Sequence, residues 1–516
     1  MQRESRVITD FNQPGRLRRA ARWILQPGDS LASQTAKAGF WSFALTVTER
    51  FIRILRTVVL ARFLAPNDFG LMGVALLTLG VLETFTITGF DQALVQRKGD
   101  IRDHLDTAWT VSVLRGFVLA ALMLIAAPLV GRFFDTPSAT VLIRALALVM
   151  VLSGLKNVGV VYLDKELQFR QRFVYLSLPT LVDFVVSLVA VVILRSVWAL
   201  VLGRVARELA LMIGSYAAHP YRPRLRLDSH RAKELFRFGA WIFWSSILVY
   251  LMFNLDDIVV GRVLSATDLG LYQMAFTISA LITTQVTTVV SDVAFPVFSK
   301  LQADKERLPG AFSKALQLTS IVAFPFAAGL WFVGPTAIEM FLGPSWLPLL
   351  AAFNGLMIWG LVRSVAGITD PLFNSMGKPY INTFIWLVTV GMVAALIYPM
   401  TVTWGIGGAA WATVIASAPF VAGVFIAGRL LATPWFELPR VIIIPAAGAG
   451  LMFAVLFALR EALPALDGRW LLIWAPVVGV GVYVAAMLFA RRFLGFEIGS
   501  LIPRATTLEE GLDVSD

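Results

Sequence analysis

The chain alternates long apolar stretches with short polar turns. Fourteen stretches reach the roughly 20 residues that a helix needs to cross a bilayer. They cover about 38–60, 70–90, 107–131, 138–162, 173–195, 197–217, 236–260, 269–293, 311–333, 345–368, 380–402, 405–430, 438–460 and 469–492. The stretches 173–195 and 197–217 are separated only around Arg195 and Ser196, which predicts a tight hairpin. Pro335–Ser345 fits no full span and reads as a short re-entrant or interfacial piece. The pattern predicts an all-α integral membrane protein of about 14 transmembrane helices.

The pattern also repeats about 200 residues apart. Gly39–Met72 reads GFWSFALTVTERFIRILRTVVLARFLAPNDFGLM, and Gly239–Tyr272 reads GAWIFWSSILVYLMFNLDDIVVGRVLSATDLGLY. Without a gap they agree at Gly39/Gly239, Trp41/Trp241, Phe43/Phe243, Leu55/Leu255, Val59/Val259, Arg62/Arg262, Leu64/Leu264, Asp68/Asp268, Gly70/Gly270 and Leu71/Leu271. A repeat of this size in a membrane protein implies two half-bundles around a central cavity, which is transporter architecture. The expected domains are a basic tail (1–36), an N-lobe of helices 1–6 (37–217), a connector (218–237), a C-lobe of helices 7–12 (238–430), helices 13–14 (431–493) and a polar tail (494–516). An even number of helices precedes the second copy, so the two copies are parallel. Asp68 and Asp268 follow short turns and read as N-caps of helices 2 and 8.

Composition agrees with a membrane assignment. Hydrophobic residues make up 58% and charged residues 15%, with a mean hydropathy of +0.75; soluble domains carry roughly 25% charged residues. Cysteine is absent, which removes disulfides and thiolate metal sites. His104, His219 and His230 lie in loops without metal-ligand spacing and read as solvated, so no metal and no cofactor is expected. The N-terminal 36 residues hold six arginines and no apolar core, unlike a cleavable signal peptide. Gly15–Leu25 reads either as a basic amphipathic surface helix or as a plain tail. With that end inside, the outside loops hold only Arg62, Arg132, Arg195, Arg262, Arg460 and Arg469, and the other loops carry most of the Lys and Arg. That asymmetry places both termini in the cytoplasm. The net charge of +11 is therefore topological, and its scattered loops exclude a nucleic-acid surface.

Charges inside spans are the candidate chemistry, because each is costly at membrane depth. The basic ones are Arg50, Arg53, Arg56, Arg115, Arg144, Lys156, Arg204, Arg207 and Arg363; acidic ones include Glu49, Glu83, Asp183, Glu208, Asp256, Asp257 and Asp292. Arg50, Arg53 and Arg56 spread over roughly a third of one helix. Guanidinium forks suit phosphate, so such a ladder can hold a pyrophosphate; equally, it can pair with acids such as Glu49, Asp256 or Asp257. Arg50, Arg53, Arg56, Arg115 and Arg363 are thus candidate substrate-binding residues. Asp256, Asp257, Asp292 and Glu83 are candidates for coupling to an ion gradient, with partnership to the helix 1 arginines as the alternative. Pro128, Pro179, Pro325, Pro399, Pro419, Pro445 and Pro476 are candidate kinks.

The run TVVLARFLAPNDFGLMGVALLTLGVLETFTITGFDQALVQRKG (Thr57–Gly99) resembles the polysaccharide transporter family, the Wzx-type and WzxC-like O-antigen and exopolysaccharide flippases of the multidrug/oligosaccharidyl-lipid/polysaccharide exporter superfamily. The second-half turn GRVLSATDLGLYQMAFTIS (Gly261–Ser279) extends the resemblance, which spans roughly 35–430. The resemblance implies a flippase in the bacterial inner membrane. It would move an undecaprenyl-pyrophosphate-linked oligosaccharide from the cytoplasmic to the periplasmic leaflet by alternating access. Membrane lipids and a polysaccharide polymerase or export complex are the implied partners, and the last two helices resemble a pair that holds a lipid tail.

Two relatives in kind compete with that expectation. A multidrug antiporter takes cationic substrates and calls for an acidic cavity, against the arginines here. A lipid II flippase shares the pyrophosphate chemistry, and the ARFLAPNDFG turn favours the polysaccharide branch over it. A membrane-embedded polymerase, ligase or glycosyltransferase needs a large loop or a carboxylate pair near a metal. The longest loop between helices, about 20 residues and basic, has neither.

Overall fold

The computed structural model describes residues 31–84, 102–166, 168–226, 249–251, 253–434, 436–464 and 468–494; for 31–38, 102–104, 282–289, 292 and 494 it describes the backbone alone. The predicted tail helix Gly15–Leu25, most of the connector and residues 495–516 lie outside these. Every regular element in the described residues is helical: α1 (Leu31–Phe63), α2 (Pro66–Thr84), α3 (Arg102–Phe133), α4 (Ala139–Gly154), α5 (Val161–Lys165), α6 (Phe169–Leu194) and α7 (Trp198–Ala218). The second half continues with α8 (253–263), α9 (Ala266–Leu301), α10 (Arg307–Ala337), α11 (Leu350–Ala366), α12 (Thr369–Ser375), α13 (Pro379–Ala416), α14 (Ala418–Leu430), α15 (Glu437–Ala462) and α16 (Leu471–Leu494).

Among the described residues, seven helices are long and apolar enough to cross a membrane, or eight if the α4–α5 pair, bent by 65°, is one span. The helices outside that count include α1 and α7, which carry most of the in-span arginines. Their charges lower the very signal by which a span is recognised.

The breaks follow local chemistry. Arg195 adopts a left-handed conformation (φ 47°) and closes α6 onto α7, as the hairpin pattern predicts. Gly405 (φ 61°, ψ −144°) breaks α13 between the two predicted spans 380–402 and 405–430; a side chain would be strained there. Pro419 lies in the first turn of α14, where its missing N–H costs nothing, so it caps rather than kinks. Asp68 and Asp268 sit three residues beyond the caps, which are Ala65 and Ser265. Asp268 completes a capping box with Ser265, and Asp68 accepts from the Ala65 N–H at 3.1 Å. Both helices therefore start earlier than the apolar pattern suggests.

Contacts sort the chain into two units. Unit 1 comprises 1–60, 82–125 and 144–245; unit 2 comprises 61–81, 126–143 and 246–516. Within unit 1, α6 and α7 pack along their length. Gly203 makes this approach close: a Cβ there would lie 1.9 Å from Ser187 Oγ and 2.4 Å from Asp183 Oδ1.

Within unit 2 the two repeat turns cross. A Cβ on Gly70 would sit 1.6 Å from the Ala266 carbonyl oxygen, and one on Gly270 would sit 2.0 Å from that of Pro66. One turn further, Gly73 leaves the space that the Gln273 amide fills, and Gly80 leaves room for the Tyr250 ring, whose hydroxyl donates to the Leu77 carbonyl at 2.8 Å. The ambiguous segment after α10 becomes a π turn (Ile338–Leu342), Gly343 at φ 108° and a 3-10 turn (Pro344–Leu349). It buries Trp346 completely. The indole N–H donates to the Ala61 carbonyl at 2.9 Å, and Phe69 meets the ring edge-on at 5.0 Å. A second core joins α10, α15 and α16 around Phe332, Met452, Leu456 and Tyr483.

Candidate functional site

In unit 1 the in-span charges gather on α1, α3, α6 and α7, at the end of α2 and just beyond α4. Arg56 reaches from α1 to α6. Its Nη2 lies 3.1 Å from Asp183 Oδ1, and its Nε and Nη2 donate to Ser187 Oγ at 3.3 and 3.2 Å. Ser187 in turn donates to Asp183 Oδ1 at 3.2 Å, one helical turn away. Gly203 on α7 provides the room for this triangle. From α7, Arg204 and Arg207 act on Arg56 electrostatically, and Glu208, almost fully buried, pairs with Lys156 at 2.9 Å. Glu83 feels Arg204, Glu208, Lys156 and Arg115, and Arg115 Nη2 lies 3.5 Å from the Glu83 carbonyl.

Among the described residues, the five cations Arg56, Arg115, Lys156, Arg204 and Arg207 thus meet the three carboxylates Glu83, Asp183 and Glu208, a formal surplus of two positive charges. Arg204 Nε is buried and has no hydrogen-bond acceptor among the described residues. A buried donor without a partner is costly, so an acceptor arriving there gains that cost back.

The arginine ladder of α1 does not act as one face. Arg56 is mostly buried against Asp183, whereas the Arg53 side chain is 67% exposed and lies 3.8 Å from Glu49 on its own helix. Arg50 is half-buried. Asp183, Ser187, Lys156, Arg204, Arg207 and Glu208 were visible as polar residues in spans, yet their convergence was not. The available signal was the Asp183/Ser187 spacing on one helix and the small residue Gly203 opposite them.

Unit 2 holds the acidic candidates. Asp256 is buried and accepts from the Tyr272 hydroxyl at 2.9 Å; Asp257 accepts from Gln273 Nε2 at 3.0 Å. Asn254 donates to the Tyr250 carbonyl at 2.8 Å. No cation bonds to either carboxylate among the described residues; their partners are neutral, and the acid that Arg56 uses is Asp183. Arg363 also lies in unit 2. It pairs with Asp370 at 2.8 Å and lies over the adjoining rings of Trp386 and Phe420, 4.5 and 4.7 Å from their centroids. Glu83 falls among the unit 1 cations, and the side chain of Asp292 lies outside the described residues. No cluster of three or more metal-ligating side chains occurs among the described residues.

His219 is not a freely solvated loop residue. Its ring stacks on Tyr162 at 4.9 Å, and its Nδ1 accepts from the Tyr221 N–H at 3.2 Å. Burial, then the bond it donates to Asp106, pushes the Tyr221 phenol above its usual range.

Known proteins resemble the chain in sequence and in fold. A lipopolysaccharide biosynthesis protein, WzxC of Escherichia coli K12, is 28% identical over 338 residues, covering 65% of this chain and 69% of that protein. The succinoglycan biosynthesis transport protein ExoT of Rhizobium meliloti is 24% identical over 417 residues, covering 75% and 82%. Among solved structures, the lipid II flippase MurJ in an inward closed conformation superposes with a TM-score of 0.71 at 15% identity, over 88% of this chain and 99% of that one. The fold is therefore that of a multi-pass membrane transporter. Residues 59–351 match the family described as polysaccharide biosynthesis protein, and the chain belongs to that family.

Proposed function

We propose that this chain flips an undecaprenyl-pyrophosphate-linked oligosaccharide from the cytoplasmic to the periplasmic leaflet by alternating access. It would act in the bacterial inner membrane with both termini inside, supplying lipopolysaccharide or exopolysaccharide assembly. The observation that carries this reading is the surplus of cations in unit 1. A pyrophosphate bears one negative charge on each phosphate, so it neutralises that surplus. Arg56 is the group that would change partners. Its bond to Asp183 is charge-assisted and directional, and a phosphate oxygen offers the same geometry.

Coupling belongs to the carboxylates of unit 2 in this reading. Asp256 and Asp257 hold neutral donors and meet no counter-charge among the described residues, which leaves the balancing charge to a proton or small cation. The experiment is protein-dependent flipping in proteoliposomes. A fluorescent undecaprenyl-pyrophosphate oligosaccharide is placed in one leaflet, its exposure in the other is followed, and cationic dye efflux is measured beside it. Lipid flipping that vanishes in Arg56→Ala supports the reading; dye efflux without lipid flipping overturns it.

A further inference from the structure

The segment that follows α7 takes no part in the transport site. Residues 219–226 leave Ala218 with an extended His219 (φ −140°, ψ 139°) and continue without regular secondary structure beside the start of α3. They are pinned there. Asp106 Oδ1 accepts from the Tyr221 hydroxyl and from the Arg224 N–H at 3.1 Å. Thr110 Oγ1 accepts from the Arg226 N–H at 3.0 Å, and Asn157 Nδ2 donates to the Tyr221 carbonyl at 2.7 Å. The stacked His219 and Tyr162 rings close the other end.

In an extended chain alternate side chains share a face, about 7 Å apart. Arg224 and Arg226, whose N–H groups both bond to α3 one helical turn apart, follow this alternation; Arg222 precedes them by the same sequence spacing, and all three are exposed. Arg222 turns one nitrogen back onto the carbonyls of His219 and Tyr221, both at 3.0 Å, which fixes its position in the row. Arg224 and Arg226 form no ion pair among the described residues. Leu225, between them, is 77% exposed. The anchor places the row at one end of a candidate span: Asp106 lies in the first turn of the apolar stretch Leu105–Phe133.

We propose that Arg222, Arg224 and Arg226 dock the phosphate headgroups of anionic phospholipids in the leaflet that the loop charges assign to the cytoplasm, with Leu225 inserted at the acyl boundary. An exposed leucine between arginines at the bilayer surface has the composition of an interfacial segment. The spacing of the row lets each guanidinium meet a separate phosphate, which favours an array of headgroups over one diphosphate. Pinning the backbone removes ordering cost from that encounter. The proposal requires only that the chain spans a bilayer, so it stands or falls apart from the flippase reading.

The test is native mass spectrometry of the full-length protein in detergent, titrated with phosphatidylglycerol or phosphatidylcholine. Wild type should prefer phosphatidylglycerol. The triple variant Arg222→Gln/Arg224→Gln/Arg226→Gln should lose about fivefold per arginine, on the order of a hundredfold in all, with its thermal unfolding unchanged. Salt should weaken the wild-type preference. Asp106→Ala separates an ordered row from bare charge. It raises the local positive charge while freeing the segment, so an ordered row loses preference and a purely Coulombic one gains it. Unchanged phosphatidylglycerol preference in the triple variant overturns the proposal. A gain in Asp106→Ala overturns the ordered row.

Discussion

Arg56 in the first repeat and Asp256 in the second occupy the same register, and they are held in opposite ways. Arg56 is clamped by a carboxylate and a hydroxyl from α6, so its charge is already balanced inside the protein. Asp256 and Asp257 receive a tyrosine hydroxyl and a glutamine amide, both neutral. A charge paired with its opposite can exchange that partner for another of the same sign. A carboxylate held by neutral donors can only be balanced by what arrives. In the proposed function, one backbone plan would serve two kinds of chemistry: exchange of anions in one half and capture of a cation in the other.

The comparison presumes that the two copies are structurally equivalent, and the glycine crossing tests this most severely. Gly70→Ala and Gly270→Ala each drive a methyl into a backbone carbonyl. Each should reduce both folded yield in detergent and flipping to near background; a large loss in one and none in the other would break the equivalence. Next comes the buried pair. Arg56→Ala leaves Asp183 without its cation, a change that costs about 3–5 kcal/mol for buried pairs, and flipping should fall by more than tenfold with partial recovery in Arg56→Lys. Arg53→Ala, at an exposed site, should change flipping less than twofold. Equal losses at both positions would restore a single-faced ladder.

Asp257→Asn keeps an acceptor for Gln273 and removes the charge. Flipping should persist at a reduced rate and lose its response to collapse of the ion gradient, read by adding ionophores to the proteoliposomes. A retained response would leave Asp257 as a packing residue. The smallest effect concerns the helix starts. Asp268→Ala dismantles a full capping box and should cost about 1 kcal/mol. Asp68→Ala should cost less, because Ala65 has no side chain to reciprocate. Thermal unfolding of the two variants side by side orders them.

Much of the helical plan was legible because its signals are local. The hairpin at Arg195, the break near Gly405 and the charges of α1 all stand in the sequence. Trp346 was not legible: its π and 3-10 turns have no hydropathy signature, and its partner Ala61 lies 285 positions away. Arg56 was visible as a costly charge, but its choice of Asp183 over the acids of the second repeat depends on how α6 approaches α1. The helix starts at Pro66 and Ala266 were misjudged by a turn because the aspartates act from inside the helix rather than at its cap.

The crossing of the two turns has a consequence for ancestry. Gly70 meets residue 266 and Gly270 meets residue 66, so each half presents to the other the surface it receives. Reciprocity of this form is what a two-fold symmetric pair of identical chains produces. A polypeptide holding only one copy would carry both sides of the joint, and duplication within a gene would have fused a homodimer without needing a new interface. It also means that drift at one turn is constrained by the other, so changes at 66 and 270, or at 266 and 70, should be tolerated in pairs rather than singly.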